Sequence, residues 1–165
     1  MIRDSATWIP ATRVWIPIAA ALFTVGLIVS AVVLPELRLL HFLQALIYVA
    51  IVILARRNSI WAIGAGLTIA VAWNGVNLFV THNMERGVTV LWSLLQTGQM
   101  REFGPHPIIP MMVLLGGIAH FVLIGACVAV LFDRRIDDKT PWKMVAGGVS
   151  VLGYFALIIF VSAPR

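Results

Sequence analysis

Apolar residues dominate five long stretches of the chain, and polar residues are concentrated between them. The stretches cover residues 14–34, 37–55, 60–81, 108–132 and 142–162. Each holds about 19–25 residues, which at about 1.5 Å of helix rise per residue is enough to cross a hydrocarbon core of about 30 Å. The pattern predicts an all-α fold, a polytopic bundle of five transmembrane helices forming a single domain over residues 1–165.

The segment between the third and fourth stretches has a different periodicity. Polar residues lie largely opposite a set of apolar residues that recur at helical spacing, namely Val88, Leu91, Trp92 and Leu95. This spacing is typical of an amphipathic helix that lies in a membrane interface. We therefore expect one such helix at about residues 86–103, on the outer side of the membrane.

The composition agrees with a chain that lies mostly in lipid. Hydrophobic residues make up 61% of the chain, charged residues make up 12%, and the mean hydropathy is +0.97. A soluble domain is about half apolar and about a quarter charged. The net charge of +5 is spread over short segments without a dense basic run, so it does not indicate a nucleic-acid partner. The lipid bilayer is the partner that the composition predicts.

The distribution of basic residues predicts the orientation of the chain. With the N-terminus inside, the outer segments hold four basic residues, Arg38, Arg86, Arg101 and Arg165. The inner segments then hold eight, namely Arg3, Arg13, Arg56, Arg57, Arg134, Arg135, Lys139 and Lys143. Basic residues are enriched on the cytoplasmic side of membrane proteins. We expect a cytoplasmic N-terminus and an external C-terminus, and a bacterial inner membrane is the simplest location.

Residues for catalysis are scarce. None of the seven carboxylates is deep in a predicted span, and the sequence has no phosphate-binding glycine loop, nucleophile elbow or HExxH motif. The single cysteine, Cys127, excludes an internal disulfide and a thiolate metal cage. The sequence therefore favours a non-enzymatic role and names no catalytic residue.

Polar residues within the spans follow helical faces. His41, Gln44 and Tyr48 share one face of the second span at i, i+3 and i+7. Asn74, Asn77 and Thr81 repeat this spacing in the third span, and His120 lies near the middle of the fourth. Because unpaired polar groups are costly in lipid, we expect these faces to line a polar pocket open to the outer side, or to bond helices together.

The leading functional hypothesis is that the pocket binds or passes a small neutral or amphiphilic molecule. The predicted ligand-binding residues are His41, Gln44, Tyr48, Trp73, Asn74, Asn77 and His120. A mostly apolar site with a few convergent polar groups is typical of ligand pockets.

Two further hypotheses remain open. Histidine ligates haem, copper and zinc, so His41 and His120 are candidates for a haem b or copper site in a redox subunit or oxidoreductase, and a metal set of His41, His82 and His106 is also conceivable. The simpler interpretation is that His120 hydrogen-bonds to Asn74 or Tyr154. The other hypothesis is a structural helper subunit of a membrane complex that binds no ligand. A homo-oligomer or a complex with other membrane subunits is also compatible with the ligand-binding hypothesis.

Overall fold

The computed structural model describes residues 14–99, 108–133 and 140–162, and every regular element in these ranges is helical. The helices are α1 (Ile16–Val33), α2 (Arg38–Arg56), α3 (Ile60–Gly75), α4 (Asn83–Thr97), α5 (Ile108–Asp133) and α6 (Thr140–Ser162). A 3-10 turn, Pro35–Leu37, leads into α2, and a π-helical turn, Val76–Val80, extends α3. Five of these segments are long and apolar enough to span a membrane, which confirms the predicted number of spans.

The helix ends occur where the backbone chemistry predicts them. α1 ends two residues before Pro35, because a proline disfavours helical backbone in the residue before it. Between α2 and α3, Asn58 adopts a positive φ of 53°, a conformation that asparagine tolerates better than most residues. α4 ends at Thr97 because Gly98, with φ of 69°, takes the left-handed position that terminates many helices. The segment predicted at about 86–103 is thus a helix over Asn83–Thr97 in the described part of the chain.

The five spanning helices close into a ring in the order α1, α2, α6, α3, α5, and α2 also contacts α3 across the middle. α4 packs on α5. The buried core lies between the helices and is mostly aliphatic, with large buried side chains that include Ile16, Ile51, Ile63, Ile69 and Leu123. The opposite faces of the spans carry exposed apolar side chains, as expected for surfaces that meet lipid.

Glycines bring α3 and α6 into backbone contact. A Cβ at Gly147 would lie 2.6 Å from the carbonyl oxygen of Trp61, and one at Gly64 would collide with the backbone of Met144. Met144, Gly147 and Gly148, near the start of α6, all contact residues in the first half of α3, so both helices begin at the same end of the bundle and run parallel. Small residues allow this approach, in which close packing stabilises membrane helices without help from the hydrophobic effect.

Candidate functional site

His120 occupies the point where α1, α2, α3 and α5 meet. Its side chain is completely buried near the middle of α5. Its Nε2 atom lies 2.8 Å from the hydroxyl of Tyr48 on α2, in a hydrogen bond between residues 72 positions apart. Tyr48 is also buried, at 1% exposure. The bond therefore links two spans in the interior of the bundle, where water does not compete for either group.

Three aromatic rings enclose the His120 imidazole. The ring centroid of Phe23 on α1 lies 4.1 Å from that of His120, and the Trp73 centroid lies 4.7 Å away on α3. Phe23 also contacts Tyr48 at 4.5 Å and meets Trp73 edge-on at 4.9 Å. The last three spacings are in the range of about 4.5–7 Å that favours aromatic pairing, and the Phe23–His120 contact is slightly closer. We refer to Phe23, Tyr48, Trp73 and His120 as the aromatic centre.

Gly116 makes room for the aromatic centre. It lies one helical turn before His120, and a Cβ at this position would be 2.8 Å from Cε2 of Phe23 and 3.4 Å from Trp73. The sequence singles out Tyr48, Trp73 and His120, but nothing in it distinguishes Phe23 from the other apolar residues of its span. Only the packing of α1 against α5 brings Phe23 to the site.

The Tyr48–His120 pair leaves one polar hydrogen without a partner. A neutral imidazole carries one proton on its two nitrogens. If Tyr48 donates to Nε2, the proton is on Nδ1, which has no hydrogen-bond partner among the described residues. If Nε2 donates instead, the Tyr48 hydroxyl hydrogen is the unpaired donor. With either tautomer, the buried pair retains a free donor.

Asn74 is a second buried group with unused hydrogen-bonding capacity. Its side chain is 4% exposed, and neither Oδ1 nor Nδ2 has a partner among the described residues. It follows Trp73 directly on α3, and Trp73 contacts His120, so Asn74 lies at the same level of the bundle as the aromatic centre. An unpaired amide in an apolar interior costs about 1–3 kcal/mol, which an additional bonding partner would offset.

Asn77, in contrast, is bonded within its own helix segment. Its Nδ2 donates to the carbonyl of Trp73 at 3.0 Å, and its Oδ1 accepts from the Thr81 hydroxyl at 3.3 Å. These bonds cross the π-helical turn, where Thr81 N–H bonds to Val76. The predicted stripe of Asn74, Asn77 and Thr81 is therefore divided, since Asn77 and Thr81 bond to each other and Asn74 has no partner among the described residues.

His41 and Gln44 lie on α2 closer to its beginning than Tyr48. Both are half-buried, and the His41 Nδ1 atom is buried without a partner among the described residues. Seven residues separate His41 from Tyr48, which is about 10 Å of helix rise. The structure thus brings Tyr48, Trp73 and His120 into contact but leaves His41 and Gln44 at a different level.

The histidines of the described ranges form no metal cluster. No group of three His, Cys, Asp or Glu side chains in those ranges is close enough to hold an ion. His82 is exposed and its nearest acidic contact is Glu85, with Nδ1 and Oε2 3.7 Å apart. His106 lies outside the described residues, so the predicted set of His41, His82 and His106 stays a prediction.

The surroundings of His120 do not suit axial ligation of haem. Axial ligation requires a free imidazole nitrogen facing the iron and a flat slot beside it. Here Nε2 is bonded to Tyr48. Nδ1 has no partner among the described residues, but the Phe23 and Trp73 rings pack against the imidazole where a porphyrin would need open space. His41 lies about 10 Å from Tyr48 towards the start of α2, and so at another depth. The bond from His120 that the sequence predicted to Asn74 or Tyr154 is instead made to Tyr48.

Comparison of the chain with protein-family models, curated proteins and solved structures finds no match.

Proposed function

We propose that this multi-pass membrane protein binds a small neutral or amphiphilic molecule inside its helix bundle, at the level of the aromatic centre. The observation that carries the proposal is unused hydrogen-bonding capacity in a buried place. The Tyr48–His120 pair retains a donor, and Asn74 retains both a donor and an acceptor. In lipid these groups cannot find bulk water, so a molecule with its own donor and acceptor would be bound favourably.

The rings around His120 define the kind of molecule. Phe23 and Trp73 provide apolar and aromatic surface, and the free groups of His120 and Asn74 provide a few hydrogen bonds. No carboxylate, lysine or arginine belongs to the centre. A charged ligand would be left without a counter-ion there, which is costly at this depth. The site favours an uncharged ligand with a carbonyl, hydroxyl or amide group.

We place α4 in the outer membrane interface. Its face towards the bundle carries the buried Met84, Gly87 and Val90. Val88, Trp92 and Leu95 form an adjoining exposed apolar stripe at i, i+4 and i+7. The remaining arc is polar. A helix with one face on protein, one apolar and one polar fits at the boundary between lipid and water.

The same proposal orients the chain with its N-terminus in the cytoplasm of a bacterial cell. The excess of basic residues on the inner segments supports it. In this orientation α2 begins at the outer side, so His41 and Gln44 lie between the outer surface and Tyr48 along α2. They would contact the ligand on its path rather than at the aromatic centre.

The test is to purify the protein in mild detergent, extract it with organic solvent and search by mass spectrometry for a compound in stoichiometric amount. The absorption spectrum and metal content of the same sample are recorded. We expect a colourless, metal-free protein with one bound organic compound. A Soret band, or stoichiometric iron or copper, would instead support the redox hypothesis.

Two asparagine variants locate the compound. Asn74→Leu removes the unpaired amide and should abolish retention of the compound. Asn77→Leu is the matched control, because it makes the same substitution in the same segment at an amide that is already bonded to Trp73 and Thr81. We expect this control to retain the compound. Equal retention by both variants, or no compound in the wild-type protein, would overturn the proposal.

A further inference from the structure

A groove opens on the surface of the bundle between α2, α3 and α6, on a face that the aromatic centre does not use. Its volume is about 390 Å³, within the range of about 300–1,000 Å³ that is usual for small-molecule sites. It is lined by apolar and small residues, among them Ala50, Leu54, Trp61, Ala65, Gly147 and Tyr154. We call it the α2–α3–α6 groove.

The hydroxyl groups that line the groove already donate hydrogen bonds to backbone carbonyls. Its two polar side chains other than Trp61 are Ser150 and Tyr154. The Ser150 hydroxyl donates to the carbonyl of Ala146 in its own helix at 2.7 Å, and the Tyr154 hydroxyl donates to the carbonyl of Leu43 at 3.2 Å. The mostly apolar lining of the groove along this length therefore suits a hydrocarbon chain. The lining from Leu46 to Leu54 extends about 12 Å along α2, parallel to the direction in which acyl chains lie.

One end of the groove carries two basic residues. Arg57 follows α2 one turn beyond Leu54, and Lys143 lies one turn before Gly147 on α6, so helical spacing places each on the groove side of its helix. The contact of Gly147 with the Trp61 carbonyl places the start of α6 beside the start of α3, which directly follows Arg57. Arg57 and Lys143 thus belong to the same end of the bundle.

These cations have no acidic partner in the described part of the chain. The one ion pair found there joins His82 and Glu85. Arg57 is exposed and Lys143 is partly exposed. Trp61, at 40% exposure, lines the groove at the start of α3, which is the end that follows Arg57. Tryptophan commonly occupies the headgroup level of a bilayer. The sequence of groups along the groove is therefore cation, interfacial aromatic ring and hydrocarbon surface.

We infer that the α2–α3–α6 groove binds an anionic phospholipid, with one acyl chain in the groove and the phosphate at Arg57 and Lys143. The order of groups in the groove matches the order in the lipid. Basic sites between transmembrane helices on the cytoplasmic side bind anionic headgroups in this way, and each cation adds to the attraction. This site is separate from the aromatic centre and does not depend on the ligand proposed there.

The test uses the full-length protein in detergent and two lipids with identical acyl chains, phosphatidylglycerol and phosphatidylcholine. Native mass spectrometry counts the lipids that remain bound as collision energy is raised. We expect the wild-type protein to retain one phosphatidylglycerol, with a preference of about tenfold or more over phosphatidylcholine. Equal retention of the two lipids would overturn the assignment of the headgroup site.

Two variants separate the contribution of the two cations to lipid binding from the contribution of the groove. Arg57→Gln with Lys143→Gln should remove the preference for phosphatidylglycerol. Ala50→Phe should fill the groove and reduce retention of phosphatidylglycerol about tenfold while both cations remain. Ala50 is exposed, so the larger side chain does not enter the core. If Ala50→Phe retains the lipid as well as the wild-type protein does, the groove is not its binding site.

Matched controls repeat both changes elsewhere. Arg86→Gln removes a cation from the start of α4, and Ala21→Phe adds the same ring at an exposed position of α1. Both controls should bind phosphatidylglycerol like the wild-type protein. If they lose the lipid to the same extent, binding reflects general charge and surface and the inference is wrong. Ala50→Phe and the comparison of the two lipids on wild-type protein decide the question even if the double variant does not fold.

Discussion

The hydroxyl of Tyr48 lies 2.8 Å from Nε2 of His120, and both side chains are fully enclosed by the bundle. This bond joins α2 to α5, two helices that are not consecutive in the chain. It also fixes the orientation of the imidazole between the rings of Phe23 and Trp73. The position of one hydrogen bond thus determines which polar atoms of the centre remain free for a ligand.

Replacement of Tyr48 by phenylalanine should destabilise the protein. The change keeps the ring but leaves Nε2 of His120 buried without a partner, which we expect to lower the free energy of unfolding by about 1–2 kcal/mol. Thermal unfolding in detergent would measure it. Tyr154→Phe is the control, since the bond of Tyr154 to Leu43 is only partly buried and its loss should cost less. A larger loss for Tyr154→Phe would contradict the central role of the Tyr48 bond.

Replacement of Asn74 by leucine should leave the ligand-free protein as stable as the wild type, or more stable by about 1 kcal/mol. The amide forms no hydrogen bond among the described residues, so the variant loses no bond and no longer buries an unpaired polar group. Unfolding is measured after the bound compound has been removed. A decrease of more than about 1 kcal/mol would show that Asn74 has a structural partner.

Substitution of Gly147 by alanine should open the contact between α3 and α6. The added Cβ would lie 2.6 Å from the Trp61 carbonyl oxygen and 3.3 Å from the backbone nitrogen of Ala65, so the helices must separate. We expect a loss of about 1–3 kcal/mol, as is usual when a packed core is overfilled.

Gly153→Ala is the matched control in the same helix. A Cβ at Gly153 would meet nothing within 4 Å. This variant should be neutral, or stabilising by about 0.5–1 kcal/mol, because alanine loses less backbone entropy than glycine on forming a helix. If the two variants unfold at the same temperature, the α3–α6 contact is looser than the structure shows.

The orientation of the chain can be measured with single cysteines in a Cys127→Ser background. Gln96→Cys lies on an exposed part of α4, and Arg56→Cys lies at the exposed end of α2. In intact cells, a membrane-impermeant maleimide should label the α4 position and not the α2 position. After the cells are permeabilised, both should react. Labelling of Arg56→Cys alone in intact cells would reverse the proposed orientation.

The number and type of the spans could be read from the sequence. Uninterrupted apolar stretches of sufficient length have one stable arrangement in lipid, because a helix satisfies its own backbone hydrogen bonds. The observed α2 and α3 begin within one residue of the predicted spans. The predicted end of α4, at about residue 103, is several residues too late, because α4 ends at Thr97. Gly98 follows directly, and glycine is a typical terminating residue of helices.

The aromatic centre could be predicted only in part. Tyr48, Trp73, Asn74 and His120 are unusual residues in apolar helices, so the sequence singles them out. The grouping of Tyr48 with His41 followed from their shared face of α2, yet the two lie at different levels. No feature of the sequence indicates that Phe23 belongs to the aromatic centre, since one phenylalanine in an apolar span resembles any other.

The sequence by itself therefore determined the class of this protein, its five spans and the polar residues that lipid makes costly, because these depend on local composition and on the period of a single helix. Only the tertiary structure decided that His120 bonds to Tyr48, that Asn74 remains unpaired and that a groove lies between α2, α3 and α6. Those facts depend on which helix faces meet, and glycines such as Gly116 and Gly147 set how closely they approach.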